Sequence, residues 1–123
     1  MTLTVFMLLS ATPAWLRLDR ARRRAFRDEV LAPIFAAHPA TTMRFYDAEA
    51  FSGRCSDVAV FETADAADYY ALVEALRDTA FFSTPYYAVV DIIPALEDGY
   101  RAYEAALGSD PAAADQSSQT ADT

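Results

Sequence analysis

Apolar residues fill both parities of the first segment of the chain, where Leu3, Val5, Met7 and Leu9 alternate with Thr4, Phe6 and Leu8. A strand apolar on both faces is a central strand, covered on either side. The run holds about ten apolar-leaning residues with no charge ahead of it, too few for a membrane span and without the basic start of a leader peptide, so it reads as structure. Thr12-Pro13 breaks it and delivers Trp15, the only tryptophan, to the strand end. From about Asp19 to His38 the period changes: Ala25, Phe26, Val30, Ile34 and Ala37 fall at helical spacing, with Asp19 as N-cap, His38-Pro39 as stop and a bend expected at Pro33. Thr41 to Tyr46 and Asp57 to Thr63 alternate as strands, joined by a long loop containing Gly53. Asp65 caps a second helix through Thr79, with Tyr69, Leu72, Val73 and Leu76 on its inner stripe. Tyr87 to Ile93 is the last strand, Pro94 is expected to end it, and Leu96, Tyr100, Tyr103 and Leu107 mark a short terminal helix.

The order βαββαβ plus a helix predicts an α+β, ferredoxin-like fold with a four-stranded antiparallel sheet and both main helices on one face. Strict period-2 counting puts Thr4, Phe6, Leu8, Thr42, Arg44, Tyr46, Ala59, Phe61, Tyr87, Val89, Asp91 and Ile93 on the face the helices leave open. That set is too apolar for water, so the sheet is expected to pair with that of a second copy, giving a homodimeric α/β barrel with a cavity between the sheets. The domain is read as residues 1–107. From Gly108 to Thr123 no aromatic or large aliphatic residue occurs, and this stretch is read as a disordered polar tail.

Composition narrows the classes. A chain of 123 residues that is 54% hydrophobic can bury a core without disulfides, and its lone Cys55 rules out an intrachain bridge, which points to the cytoplasm. A formal charge of −8 argues against nucleic acid as partner, and no segment argues for a membrane. One histidine, one cysteine and no HxxxH or CxxC spacing predict no metal site. All basic residues are arginine; Arg17, Arg20, Arg22, Arg23, Arg24 and Arg27 crowd the first helix, interleaved with Asp19, Asp28 and Glu29, and are read as a solvated face.

Candidate chemistry rests on polar groups placed among apolar ones. Arg44, Tyr46, Tyr87 and Asp91 would be costly on an apolar sheet face unless paired or used. An Arg–Tyr pocket suits a carboxylate, enolate or phenolate, because a guanidinium holds two oxygens and a phenol donates a further hydrogen bond. An Arg44–Asp91 ion pair across a dimer is the structural alternative. His38 is either a general base or a cap at its helix C-terminus. Phe81, Phe82, Tyr86 and Tyr87 form an aromatic cluster that packs a core or, with Trp15, lines a pocket.

The segments TVFMLLSATPAWLRL, HPATTMRFYDAEAFSGRCSDVAVFE, YYALVEALRDTAFF and YYAVVDIIPALEDGY together resemble the darcynin family, over about residues 3–101. Its most specific pieces here are Thr12 to Leu16, Arg44 to Ala50 and Ile93-Pro94. The resemblance implies fold and extent and brings no reaction with it; the arginine-rich helix and the polar tail depart from it. Dimeric α/β barrels, which this fold is similar to, include cofactor-free monooxygenases, muconolactone-type isomerases and aromatic polyketide cyclases. By that likeness the chain is expected to be a tailoring enzyme of secondary metabolism, needing no cofactor, or a non-catalytic binding protein on the same fold. In the enzyme reading Arg44 orients an anionic oxygen, Tyr46 or Tyr87 donates to it, Asp91 or His38 moves a proton, and Trp15, Phe6 and Phe61 wall the substrate. A haem-binding variant would need His38 as its axial ligand.

Overall fold

The computed structural model describes residues 1–108. The strands are β1 (Leu3–Ala11), β2 (Thr41–Asp47), β3 (Asp57–Thr63) and β4 (Tyr87–Leu96). They form one antiparallel sheet in the order β2-β3-β1-β4. The helices are α1 (Pro13–Leu16), α2 (Arg20–Phe26), α3 (Ala32–Ala37), α4 (Ala66–Arg77), α5 (Ala80–Ser83) and α6 (Gly99–Leu107). The architecture is the expected ferredoxin-like α+β fold, with the apolar β1 central. The assigned tail, apart from Gly108, lies outside the described residues.

Caps fix where the helices start. Asp19 accepts from the Arg22 amide at 2.8 Å, Asp65 from Ala67 at 3.0 Å, and Thr79 from Phe81 at 3.1 Å, each satisfying a donor the first turn leaves unpaired. Thr12 does more than cap α1: its hydroxyl lies 2.7 Å from the Pro85 carbonyl and its amide donates to the Tyr86 carbonyl at 2.9 Å. The end of β1 is thereby tied to the start of β4.

The first helix is not merely bent at Pro33. Residues Arg27–Leu31 form a π-turn, and the proline follows at the start of α3. A proline has no amide to donate and its ring clashes with the carbonyl four residues back; widening the turn ahead of it relieves both.

The core fills the space between sheet and helices. Val5, Met7 and Leu9 of β1, Ala59 and Phe61 of β3, and Leu72, Trp15, Phe81 and Tyr87 form one buried cluster. Each large side chain so buried is worth about 1.5–3 kcal/mol of transfer free energy. At one end the Thr41 hydroxyl reaches Thr63 at 3.0 Å and the Asp68 carboxylate at 2.8 Å, joining β2, β3 and α4.

Side-chain facing differs from the expectation in two strands, by phase in β3 and by a bulge in β4. In β3, Ala59 and Phe61 face the helices, while Val58, Val60 and Glu62 lie level with Leu8, Phe6 and Thr4 on the open face. Arg44 is therefore opposite Val60 and Tyr46 opposite Val58. In β4, Leu8 pairs with Asp91 but Leu9 pairs with Val89, so Val90 is an extra residue in a β-bulge. The bulge turns Tyr87 and Val89 to the helix side and leaves Asp91 and Ile93 on the open side. Nor does Pro94 end β4. It pairs with Val5, and the strand runs on to Leu96, because β4 is an edge strand where a missing amide is tolerated.

Candidate functional site

A cavity of about 320 Å³ opens between the helix side of the sheet and the helices. Met7, Leu9, Ala59 and Phe61 form its floor, Met43 and Phe45 of β2 one side, and Leu31, Ala32 and Phe35 its roof, with Trp15, Leu76, Phe81 and Tyr87 closing the other side. Its size falls at the lower end of small-molecule sites. Two lining side chains besides the Trp15 indole carry polar groups: Arg27, from the π-turn, and Tyr87.

Tyr87 is held by rings. It stacks on Phe81 with centroids 4.9 Å apart at 25°, lies 5.4 Å from Trp15 and receives Phe45 edge-on at 5.9 Å. With 7% of its surface exposed, burial pushes its phenol up to about 12, Asp57 and Asp47 add to the rise, and Arg27 and Arg23 oppose it. Its hydroxyl thus sits within the field of two carboxylates and two guanidiniums, and stays protonated as a hydrogen-bond donor.

The carboxylates belong to the β2–β3 ladder, where Asp47 and Asp57 are paired. Asp57 is only 4% exposed, and burial raises its carboxyl from 3.8 to about 6. The Ser56 hydroxyl, 2.6 Å away, works against that rise; Asp47 and Glu49 add to it. An acid with that value can take up or release a proton near neutral pH.

The guanidiniums come from successive turns of the first helix. Arg23 lies over Trp15, its carbon 5.9 Å from the ring centroid, and donates to the Leu16 carbonyl at 2.9 Å. Its Nε is buried without a hydrogen-bond partner. The arginine-rich helix is therefore not wholly a solvated face: Arg23, Arg27, Leu31 and Phe35 form one stripe, four residues apart, turned toward Trp15 and the cavity.

The residues marked in the sequence divide into three groups. Trp15, Phe61 and Tyr87 come together in the cavity wall, on the helix side rather than between two sheets. Phe6, Arg44, Tyr46 and Asp91 lie on the open face. There Arg44 and Asp91 occupy opposite edge strands, three spacings or about 14 Å apart, too far to pair within one chain. Asp91 accepts from the Ile92 amide at 2.8 Å. His38 stands apart from both sets, at the end of α3, its Nδ1 2.8 Å from the Ile34 carbonyl. Since His38 does not line the cavity, an imidazole-ligated haem does not fit this site. No group of three metal-ligating side chains occurs among the described residues, nor a helix long and apolar enough to cross a membrane.

Arg27, Phe45 and Asp57 were not marked by sequence reasoning. The stripe of four-residue spacings from Arg23 to Phe35 is a signal for Arg27. Asp57 follows only from the pairing register, which sets it inside the sheet beside Leu9.

Solved structures with this fold include a chlorite dismutase mutant from Candidatus Nitrospira defluvii, with a TM-score of 0.66, 9% identity and 87% of this chain covered. A dimeric chlorite dismutase from Nitrobacter winogradskyi gives a TM-score of 0.58 at 20% identity over 76% of this chain. The chain spans 48% and 55% of those chains, and the likeness is one of fold. Much nearer in sequence are Darcynin 1 of Acinetobacter baumannii, 49% identical over 71% of this chain and 97% of that protein, and Darcynin of Chromobacterium violaceum, 54% identical over 63% of this chain and 98% of that protein. A Darcynin homolog of Streptomyces avermitilis is 43% identical over 79% of this chain and 80% of that protein. The family model for darcynin, a domain of unknown function, matches residues 1–114, and the chain belongs to the darcynin family.

Proposed function

We propose that this protein takes a small, flat, aromatic or enolisable molecule into the helix-side cavity and moves a proton on it, as a cyclase, an isomerase or a cofactor-independent oxygenase of secondary metabolism would. The observation that carries this reading is the Tyr87 hydroxyl, a protonated donor inside an aromatic cavity, within the fields of Asp57 and Arg27. Enolisation needs a donor for the developing oxyanion and a base for the departing proton. Tyr87 and Arg27 in the wall supply the first, and Asp57, outside the wall but within the field at Tyr87, the second. Trp15, Phe45, Phe61 and Phe81 hold the ring plane and exclude water.

A second reading, a ligand-binding protein without turnover, draws on the sparseness of polar groups in the wall. Proton exchange separates the two. In D₂O, α-tetralone is flat, aromatic and enolisable; followed by ¹H NMR, its α-protons are expected to exchange faster with the protein than with buffer. That acceleration should vanish in Asp57→Asn and Tyr87→Phe and persist in Arg44→Met. Binding of the ketone without accelerated exchange would replace the enzyme by the binding protein.

The open face serves a different purpose in this proposal. Phe6, Tyr46 and Ile93 are 38%, 50% and 46% exposed on one sheet surface with Val58 and Val60. A second copy covers them, sheet to sheet, and the two-fold relation brings Arg44 of each chain toward Asp91 of the other. Arg44, Tyr46 and Asp91 then hold the dimer rather than the substrate.

A further inference from the structure

We infer that Arg27, with Arg23 one turn behind it, forms an anion clamp at the mouth of the cavity, and that the natural ligand is a flat apolar molecule carrying a carboxylate or similarly fixed anionic oxygen. The inference rests on the cavity reading above and names the class of molecule the cavity takes.

Three observations converge on it. Arg27 is the charged side chain in the cavity wall, and among the described residues it makes no ion pair. Arg23, one turn earlier, lies over Trp15 just outside the cavity lining and adds its positive charge behind Arg27. Both charges are felt at the Tyr87 hydroxyl, where they oppose the effect of Asp57 and Asp47; the arginines belong to the helix and the acids to the β2–β3 ladder.

The helix geometry explains why these two arginines differ from Arg20, Arg22 and Arg24. The π-turn over Arg27–Leu31 inserts an extra residue ahead of Pro33, which keeps Arg27 in line with Leu31 and Phe35 over the cavity. A planar guanidinium matches two carboxylate oxygens at once, which an ammonium cannot. In a protein of net charge −8, a general attraction for anions is not expected, so a preference for an anionic ligand would have to be local.

The test compares 2-naphthoate with 2-naphthalenemethanol, of similar shape and no charge, by isothermal titration calorimetry on the full chain. The carboxylate is expected to bind at least tenfold tighter. Arg27→Met should abolish that preference; Arg27→Lys should restore it only in part. Arg24→Met, on the same helix outside the cavity wall, controls for net charge and should leave the preference intact. Equal affinity of the parent for both probes, or equal loss in Arg24→Met and Arg27→Met, overturns the clamp while the cavity stands. Failure of both probes to bind overturns the cavity reading itself.

Discussion

Asp47 and Asp57 are paired across the β2–β3 ladder, one at an exposed strand end and the other buried beside Leu9. Their proximity, added to burial, is why the Asp57 carboxyl is raised from 3.8 to about 6.

That value fixes a pH dependence. Between about pH 4 and pH 6 the folded chain keeps a proton that the unfolded chain has released, so this group's contribution to stability falls as pH rises through that window and is level above it. Thermal melts of Asp57→Asn and parent should coincide near pH 4 and separate by pH 8, the variant being the more stable by about 1 kcal/mol, a few degrees in Tm, after screening by solvent at Asp47. A constant difference across the range would mean that Asp57 ionises as an ordinary carboxylate.

Tyr87 should separate packing from chemistry. Tyr87→Phe keeps the rings on Phe81 and Trp15 and is expected to melt within a few degrees of the parent while losing exchange of α-tetralone. Tyr87→Ala empties a ring from the core and should cost about 3–5 kcal/mol in urea unfolding. Equal destabilisation by both substitutions would make the hydroxyl a structural group.

Deleting Val90 removes the bulge residue and restores simple alternation to β4. The pairs Leu8–Asp91 and Leu9–Val89 then follow one another without a break, and Tyr87 and Val89 stay on the helix side with Trp15 and Phe81. The expected outcome is retention of the folded core, read as an unchanged Trp15 emission maximum and a cooperative melt; a red-shifted emission would show that the bulge itself is needed to seat Tyr87.

Element order and both aspartate helix caps, Asp19 and Asp65, are legible in the sequence because they depend on local pattern. Trp15 is legible too, since a lone indole after a strand break has few places to go. The two sheet faces are less so. Nothing in the segment YAVVDII marks Val90 as the extra residue, since Val89 and Val90 are chemically identical and only the pairing with Leu8 and Leu9 tells them apart. In β3 the alternation of Val58, Ala59, Val60 and Phe61 is apolar on both parities, so period alone cannot orient it. Phe61 and Tyr87 were thus assigned to the open face, and the cavity they share with Trp15 was expected between sheets instead of under the helices. Asp57 escaped notice for the same reason: a carboxylate next to a loop reads as solvent-facing until its neighbour Leu9 is known.

The sheet-to-sheet dimer has its own check. Ile93→Glu puts an uncompensated charge in the middle of the open face and should convert a dimer to a monomer by light scattering, with the far-ultraviolet spectrum unchanged. Arg44→Met should raise the dimer dissociation constant by roughly tenfold, the cost of leaving Asp91 of the second copy unpaired. A monomeric parent protein at micromolar concentration would remove the dimer from the proposal.

Pro94 sits in an outermost strand, paired on its inner side with Val5. It has no amide hydrogen to offer a newcomer, so the outer rim of β4 is interrupted where a strand from another molecule would have to zip on. Growth of the sheet sideways into a ribbon or fibril is therefore blocked at this rim, and the greasy flat surface can be satisfied by a single mate without inviting an endless queue of others.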